Sequence, residues 1–148
     1  MRALLDAGAK ATASLPNGVS ALHLAAGTRI GIETRPSDLV RWNVIDNDTP
    51  SVPRSPEDAV SAVRMLIEAG ADVKQITESG DSVLHAAAAA NEPATIELLA
   101  SRGANLNAKN KAGQTPLSLT LPRPSLGRGA GFPGYPQAEA VLRKLGAQ

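Results

Sequence analysis

Few residues in this chain could do chemistry. There are two histidines, His23 and His85, and no cysteine. Two histidines could act as general bases or metal ligands, but either role depends on convergent geometry. Without cysteine there is no disulfide framework, thiolate zinc site or Cys nucleophile. Asp46-Asn47-Asp48 sets two carboxylates one residue apart, a pair that could share a hard cation such as Ca²⁺ or Mg²⁺. The Gly and distal Glu of an EF-hand ladder are missing, and turn capping before Thr49-Pro50 is the simpler account. Gly127-Arg128-Gly129-Ala130-Gly131 has the glycine content of a phosphate-cradling loop. Its flanks, Pro122-Arg123-Pro124 and Phe132-Pro133-Gly134, are not the buried strand and opening helix of a dinucleotide fingerprint. They read as a flexible insertion. Arg54-Ser55-Pro56 has the residues of a phosphorylation site, and helix capping explains it as well. No enzyme activity, cofactor or metal is therefore expected.

The chain of 148 residues suits one domain with a sizeable core. Its 15 basic and 14 acidic residues, read as mixed along the chain, leave no footprint for nucleic acid or an anionic membrane. No run approaches the roughly 20 apolar residues that a spanning helix needs. The start, MRALLDAGAK, does not read as a signal peptide. A cytoplasmic location is the default expectation; a periplasmic or secreted one follows if an upstream signal segment is missing. A core of Ala, Leu, Val and Ile, with Phe, Tyr and Trp once each, implies closely approaching helices.

The elements that must position these residues repeat. The clearest unit runs from Glu78 to Asn110. Gly80, Ser82, Leu84 and His85 open a short apolar helix, and Asn91-Glu92-Pro93 marks a tight turn. Ile96, Leu98 and Leu99 stripe a second helix, Gly103 stops it, and Ala104 to Asn110 is a polar excursion. Ser55-Pro56-Glu57-Asp58 signals another helix start: an N-cap, a proline at the first helical position, and acids at the positive helix end. Gly80 to Gly113 spans 33 residues, as does Gly70 to Gly103. Gly18 to Gly80 spans 62 and Gly103 to Gly146 spans 43, so each exceeds one period by an insertion. Both surpluses fall between the first and second helix of a unit.

These residues resemble ankyrin repeats, which share this period and a G-x-T-P-L-H opening. That opening stands here as Gly18-Val19-Ser20-Ala21-Leu22-His23, as Gly80-Asp81-Ser82-Val83-Leu84-His85, and as Gly113-Gln114-Thr115-Pro116-Leu117-Ser118. The family's L-L-x-x-G-A ending recurs around Leu66 to Lys74 and Leu98 to Asn107, and partially at Leu4 to Ala9 and Leu142 to Ala147. More narrowly, the chain is similar to bacterial ankyrin-repeat proteins whose helical turns are extended by loops. Ser118 departs from the family's histidine.

The resemblance implies an all-α solenoid of helix-turn-helix units with short β-hairpin or loop excursions, about three to four repeats in one domain. Residues 1–16 would be a partial repeat, either half a unit or the start of a chain cut from a longer one. Residues 17–76 would be a repeat with an insertion at 27–54, residues 77–109 a complete repeat, and residues 110–148 a repeat with an insertion at 122–136. The motif residues Gly18, Leu22, His23, Gly80, Leu84, His85, Gly113, Thr115, Pro116 and Leu117 then carry structure: the histidines tie each turn to its neighbour, and Ser20 and Ser82 cap the first helices.

In this family partners meet the hairpin tips and the exposed face of the first helices. Carried over, the binding candidates are Ile76, Glu78, Ser79 and Asp81 on one tip, Lys109, Lys111 and Gln114 on the next, and Ala89 and Ala90 between. The expected function is non-catalytic binding of another protein by a monomer. The alternative is a regulatory or small-ligand segment of a larger protein, using the aromatics Trp42, Phe132 and Tyr135 of the insertions. Those aromatics could share one apolar patch over the Asn91-Glu92 turn, or each could pin its own loop.

Overall fold

In the computed structural model, residues 11–27, 56–122 and 133–148 are described. Among them are six helices and no strand: α1 Ala21–Ala26, α2 Pro56–Glu68, α3 Val83–Ala89, α4 Pro93–Ser101, α5 Pro116–Thr120 and α6 Pro136–Lys144. Helices α1, α3 and α5 form one row, α2, α4 and α6 the other. α1 packs on α2 and α3, α3 on α4 and α5, and α6 on α4 and α5. The expected hairpins are reduced to isolated bridges, Ser14 with Ser20 and Ile76 with Ser82. The helices begin at Ala21 and Val83, directly after the bridged serines, so the pairing goes no further on that side.

Each first helix starts by the same device. Ser20, Ser82 and Thr115 precede the helix in extended conformation. The residue three further on reaches back to the cap's own N–H: His23 Nδ1 accepts from Ser20 N–H at 3.3 Å and His85 Nδ1 from Ser82 N–H at 3.1 Å. This is the reciprocal logic of a capping box, with imidazole in the place of a Glu or Gln. Ser118 keeps that half of the task, its Oγ accepting from Thr115 N–H at 2.9 Å.

Each second helix also stops alike. Gly70, Gly103 and Gly146 hold φ near +91°, +82° and +91°, a left-handed turn that costs an L side chain about 1–2 kcal/mol. The following N–H then closes on a carbonyl five residues back: Ala71 on Leu66 at 2.9 Å, Ala104 on Leu99 at 3.1 Å and Ala147 on Leu142 at 3.0 Å. These bonds satisfy carbonyls that the helix end leaves open.

The core runs unbroken through all the described units: Leu22, Val63, Leu66, Leu84, Ile96, Leu99, Leu117 and Leu142 are buried. Alanines 86, 87 and 88 are buried around α3, and this lets the rows approach closely. At the end of α1, a Cβ on Gly27 would lie 2.3 Å from that of Ala90. Across the turn, Asn91 holds φ +56° and its Oδ1 accepts from Ala138 N–H at 3.2 Å, so the α3–α4 turn is tied to the start of α6.

The readings placed on residues 1–10, on 28–55 and on 123–132 lie outside the described residues. These include residues 1–10 of the partial repeat, Trp42, Phe132, Asp46-Asn47-Asp48 and the glycine run from Gly127.

Candidate functional site

The three turns before the first helices share one construction. The N–H of Leu15, Thr77 and Asn110 donates to the carbonyl of Val19, Asp81 and Gln114, at 2.8, 2.9 and 3.0 Å. Glycine at 18, 80 and 113 closes each turn at φ +78°, +81° and +74°. The turns then hydrogen-bond to one another. Glu78 N–H donates to the Asn17 carbonyl and Lys111 N–H to the Ser79 carbonyl, both at 2.9 Å.

A second link runs beneath, from the helices. His23 Nε2 lies 3.3 Å from the Asp81 carbonyl, and His85 Nε2 3.0 Å from the Gln114 carbonyl. Each Nδ1 accepts from a backbone N–H, so each Nε2 carries the proton and donates. Both ring nitrogens are therefore occupied, and the two rings face different joints. Burial pushes the His23 imidazole below its ordinary pKa of 6.5; the hydrogen bond to the Asp81 carbonyl and the Asp81 carboxylate pull against that. Among the described residues, no group of three His, Asp or Glu could hold a metal ion, and no helix is long and apolar enough to cross a membrane.

Asp81 is the polar hub of these joints. Its Oδ2 accepts from Ser79 Oγ at 2.5 Å and its Oδ1 from Asn110 Nδ2 at 2.8 Å. Its backbone N–H donates to Thr77 Oγ1 at 3.1 Å. Through its carbonyl and carboxylate, this one buried residue touches His23 of the preceding unit and Asn110 of the following one.

The sequence-predicted binding residues thus separate into two groups. Asp81 is buried and fully engaged, Gln114 is half-buried with its backbone locked to Asn110 and His85, and Ser79 ties Thr77 to Asp81. Ala89 closes α3 and Ala90 follows it, both half-buried. Glu78, Lys109 and Lys111 have exposed side chains, and Ile76 keeps 59% of its surface in solvent. Tyr135 is half-buried against the core cluster, and its N–H donates to the Thr120 carbonyl at 2.7 Å. It anchors the start of α6.

Two residues escaped sequence reasoning. Leu15, in the first turn, and Leu24, on α1, are 53% and 43% exposed. The signal was the register: Leu15 occupies the position of Thr77 and Asn110, where the other turns carry a polar side chain. Charge is also sorted rather than mixed. Ten of the 14 acidic residues lie between Asp46 and Glu97, against three basic ones, whereas residues 98–148 hold seven basic and one acidic.

Paired helices in two rows, joined by turns that hydrogen-bond unit to unit, define a helical repeat protein. Residues 55–121 match the family model for ankyrin repeats (3 copies). No curated protein matches the chain. Ankyrin repeats generally mediate protein–protein interaction and are generally non-catalytic.

Proposed function

We propose that the chain is a non-catalytic module that binds another protein through its turn tips and the exposed face of its first-helix row. One observation carries the reading: the tip backbone is locked across the joints while the tip side chains stay in solvent. Glu78 and Lys111 each commit their N–H to the neighbouring turn, yet both side chains are exposed. A surface held this way loses little conformational entropy when a partner docks. Ile76 and Leu15 supply apolar area, and Glu78, Lys109 and Lys111 supply charges that steer approach and set register.

Photo-crosslinking residues placed at Ile76 and Lys109 test this in cells of the source organism. They are expected to trap a protein, and the same group at exposed Arg64 on α2 is expected to trap none. Equal trapping at Arg64, or none at the tips, would overturn the reading.

A further inference from the structure

The segments that join one unit to the next alternate in exposure. Asp72, Lys74, Ile76 and Glu78 face solvent, while Val73 and Gln75 are half-buried and Thr77 is buried. The next segment repeats this: Asn105, Asn107, Lys109 and Lys111 are exposed, and Leu106, Ala108 and Asn110 are half-buried. The outward side chains therefore form two adjacent rows, and Ile76 is their one apolar member. Lys74 and Glu78 flank it along its own row. Ser14 and Lys109 hold the same register in the segments before and after, and both are exposed. Turns thus lie on both sides of Ile76, and it still keeps 59% of its surface in solvent.

The backbone beneath is fixed. Ile76 bridges to Ser82, Thr77 N–H donates to the Asp81 carbonyl at 2.9 Å, and the Glu78 N–H and Ser79 carbonyl are bonded to the turns on either side. Covering the isoleucine with a partner removes apolar area from water at little cost in backbone ordering.

We propose that Ile76 anchors a segment of another protein that carries an apolar side chain flanked by carboxylates. The apolar side chain packs on Ile76, and the carboxylates reach Lys74 and Lys109, with Lys111 beyond. This rests on the binding-module reading above and names its anchor and the chemistry of its partner. The charges set the sign. Among the described residues, none of Lys74, Glu78, Lys109 and Lys111 forms an ion pair. Three lysines thus stand against Glu78 and the more distant Asp72, whose Oδ1 already accepts from the Lys74 N–H at 2.8 Å. An apolar centre inside a charged rim is the common anatomy of a protein interface. A nucleic-acid backbone would satisfy the lysines, but its phosphates leave Ile76 uncovered and are repelled by Glu78. A second copy seated Ile76 on Ile76 brings a rim of the same sign.

The test is a nuclear magnetic resonance titration of the full chain with a capped peptide of Ser and Gly that carries one Leu between two Glu. Shifts are expected at the amides of Lys74 to Glu78 and of Lys109 to Lys111. Ile76→Thr is expected to weaken binding about tenfold or more with the melting temperature unchanged. Replacing the peptide's Leu by Ser should weaken it comparably in the native chain and have little further effect in Ile76→Thr, as for two groups in contact. The pair K74Q/K109Q should weaken binding and flatten its dependence on salt. The proposal is overturned by undiminished binding to Ile76→Thr, by equal binding of a peptide with Gln in place of Glu, by shifts centred elsewhere, or by no binding at all. Tighter binding of an oligouridylate at the same lysines would also overturn it, as would self-association abolished by Ile76→Thr. If crosslinks from Ile76 trap a protein while the peptide fails, the binding module stands and this partner chemistry falls.

Discussion

The second and third turns have the same shape in different surroundings. At the second, Gly80 packs against the backbone of Asn110 and Lys111, His23 donates to the Asp81 carbonyl, and the Asp81 carboxylate holds Asn110. The third receives His85 on the Gln114 carbonyl, and no described residue comes within 4 Å of a Cβ built on Gly113. The sequence motif is nearly constant, so what it does depends on whether a neighbour covers it. Enclosed, its polar groups join units.

Leu84 and Leu117 occupy the same register position; both are buried, Leu84 completely and Leu117 with 6% of its surface in solvent. Leu84→Ala is expected to lower unfolding free energy by about 2–5 kcal/mol, and Leu117→Ala by less, in urea titrations. Equal losses would mean that the third unit is as enclosed as the second.

His85 and Ser118 make the next pair. His85→Ala strips partners from the Gln114 carbonyl and the Ser82 N–H, a loss of about 1–3 kcal/mol when such groups stay buried. Ser118→Ala removes only its two hydrogen bonds with the Thr115 backbone, and should cost about 0.5–1 kcal/mol. Thermal melts of the two variants rank them, and the reverse order would break the comparison.

A smaller effect comes from pH. The folded His23 pKa is lowered, so its contribution to stability is complete above pH 6.5, the ordinary value. It is lost progressively as pH falls below 6.5 toward the lowered folded value, because the unfolded chain binds the proton first. Urea midpoints should therefore drop on acidification more in the native chain than in His23→Gln. Parallel slopes would show that the imidazole is not held neutral in the joint.

The repeat was legible because its signals are local. Capping residues, glycine stops and the proline at position 56 each act within a turn of chain, and their spacing recurs. Asp81 was not legible: an acid next to a turn glycine reads as a solvated tip, and only the stacking of Asn110 against it makes it a hub. Leu15 and Leu24 were missed because their exposure depends on what lies beside the first unit. The two histidines were read by role rather than by contact, and the carbonyls they reach, 58 and 29 residues away, were not specified by any local pattern. The charge sorting lay in the sequence itself, hidden by a net charge of +1.

The claim that binding depends on most is a locked tip backbone beneath free side chains. Amide hydrogen exchange measures it directly. Glu78, Lys109 and Lys111 all have exposed side chains, but only Glu78 and Lys111 give their N–H to a neighbouring turn. Slow exchange is predicted at Glu78 and Lys111 and fast exchange at Lys109. Exchange at Glu78 and Lys111 as fast as at Lys109 would contradict the account.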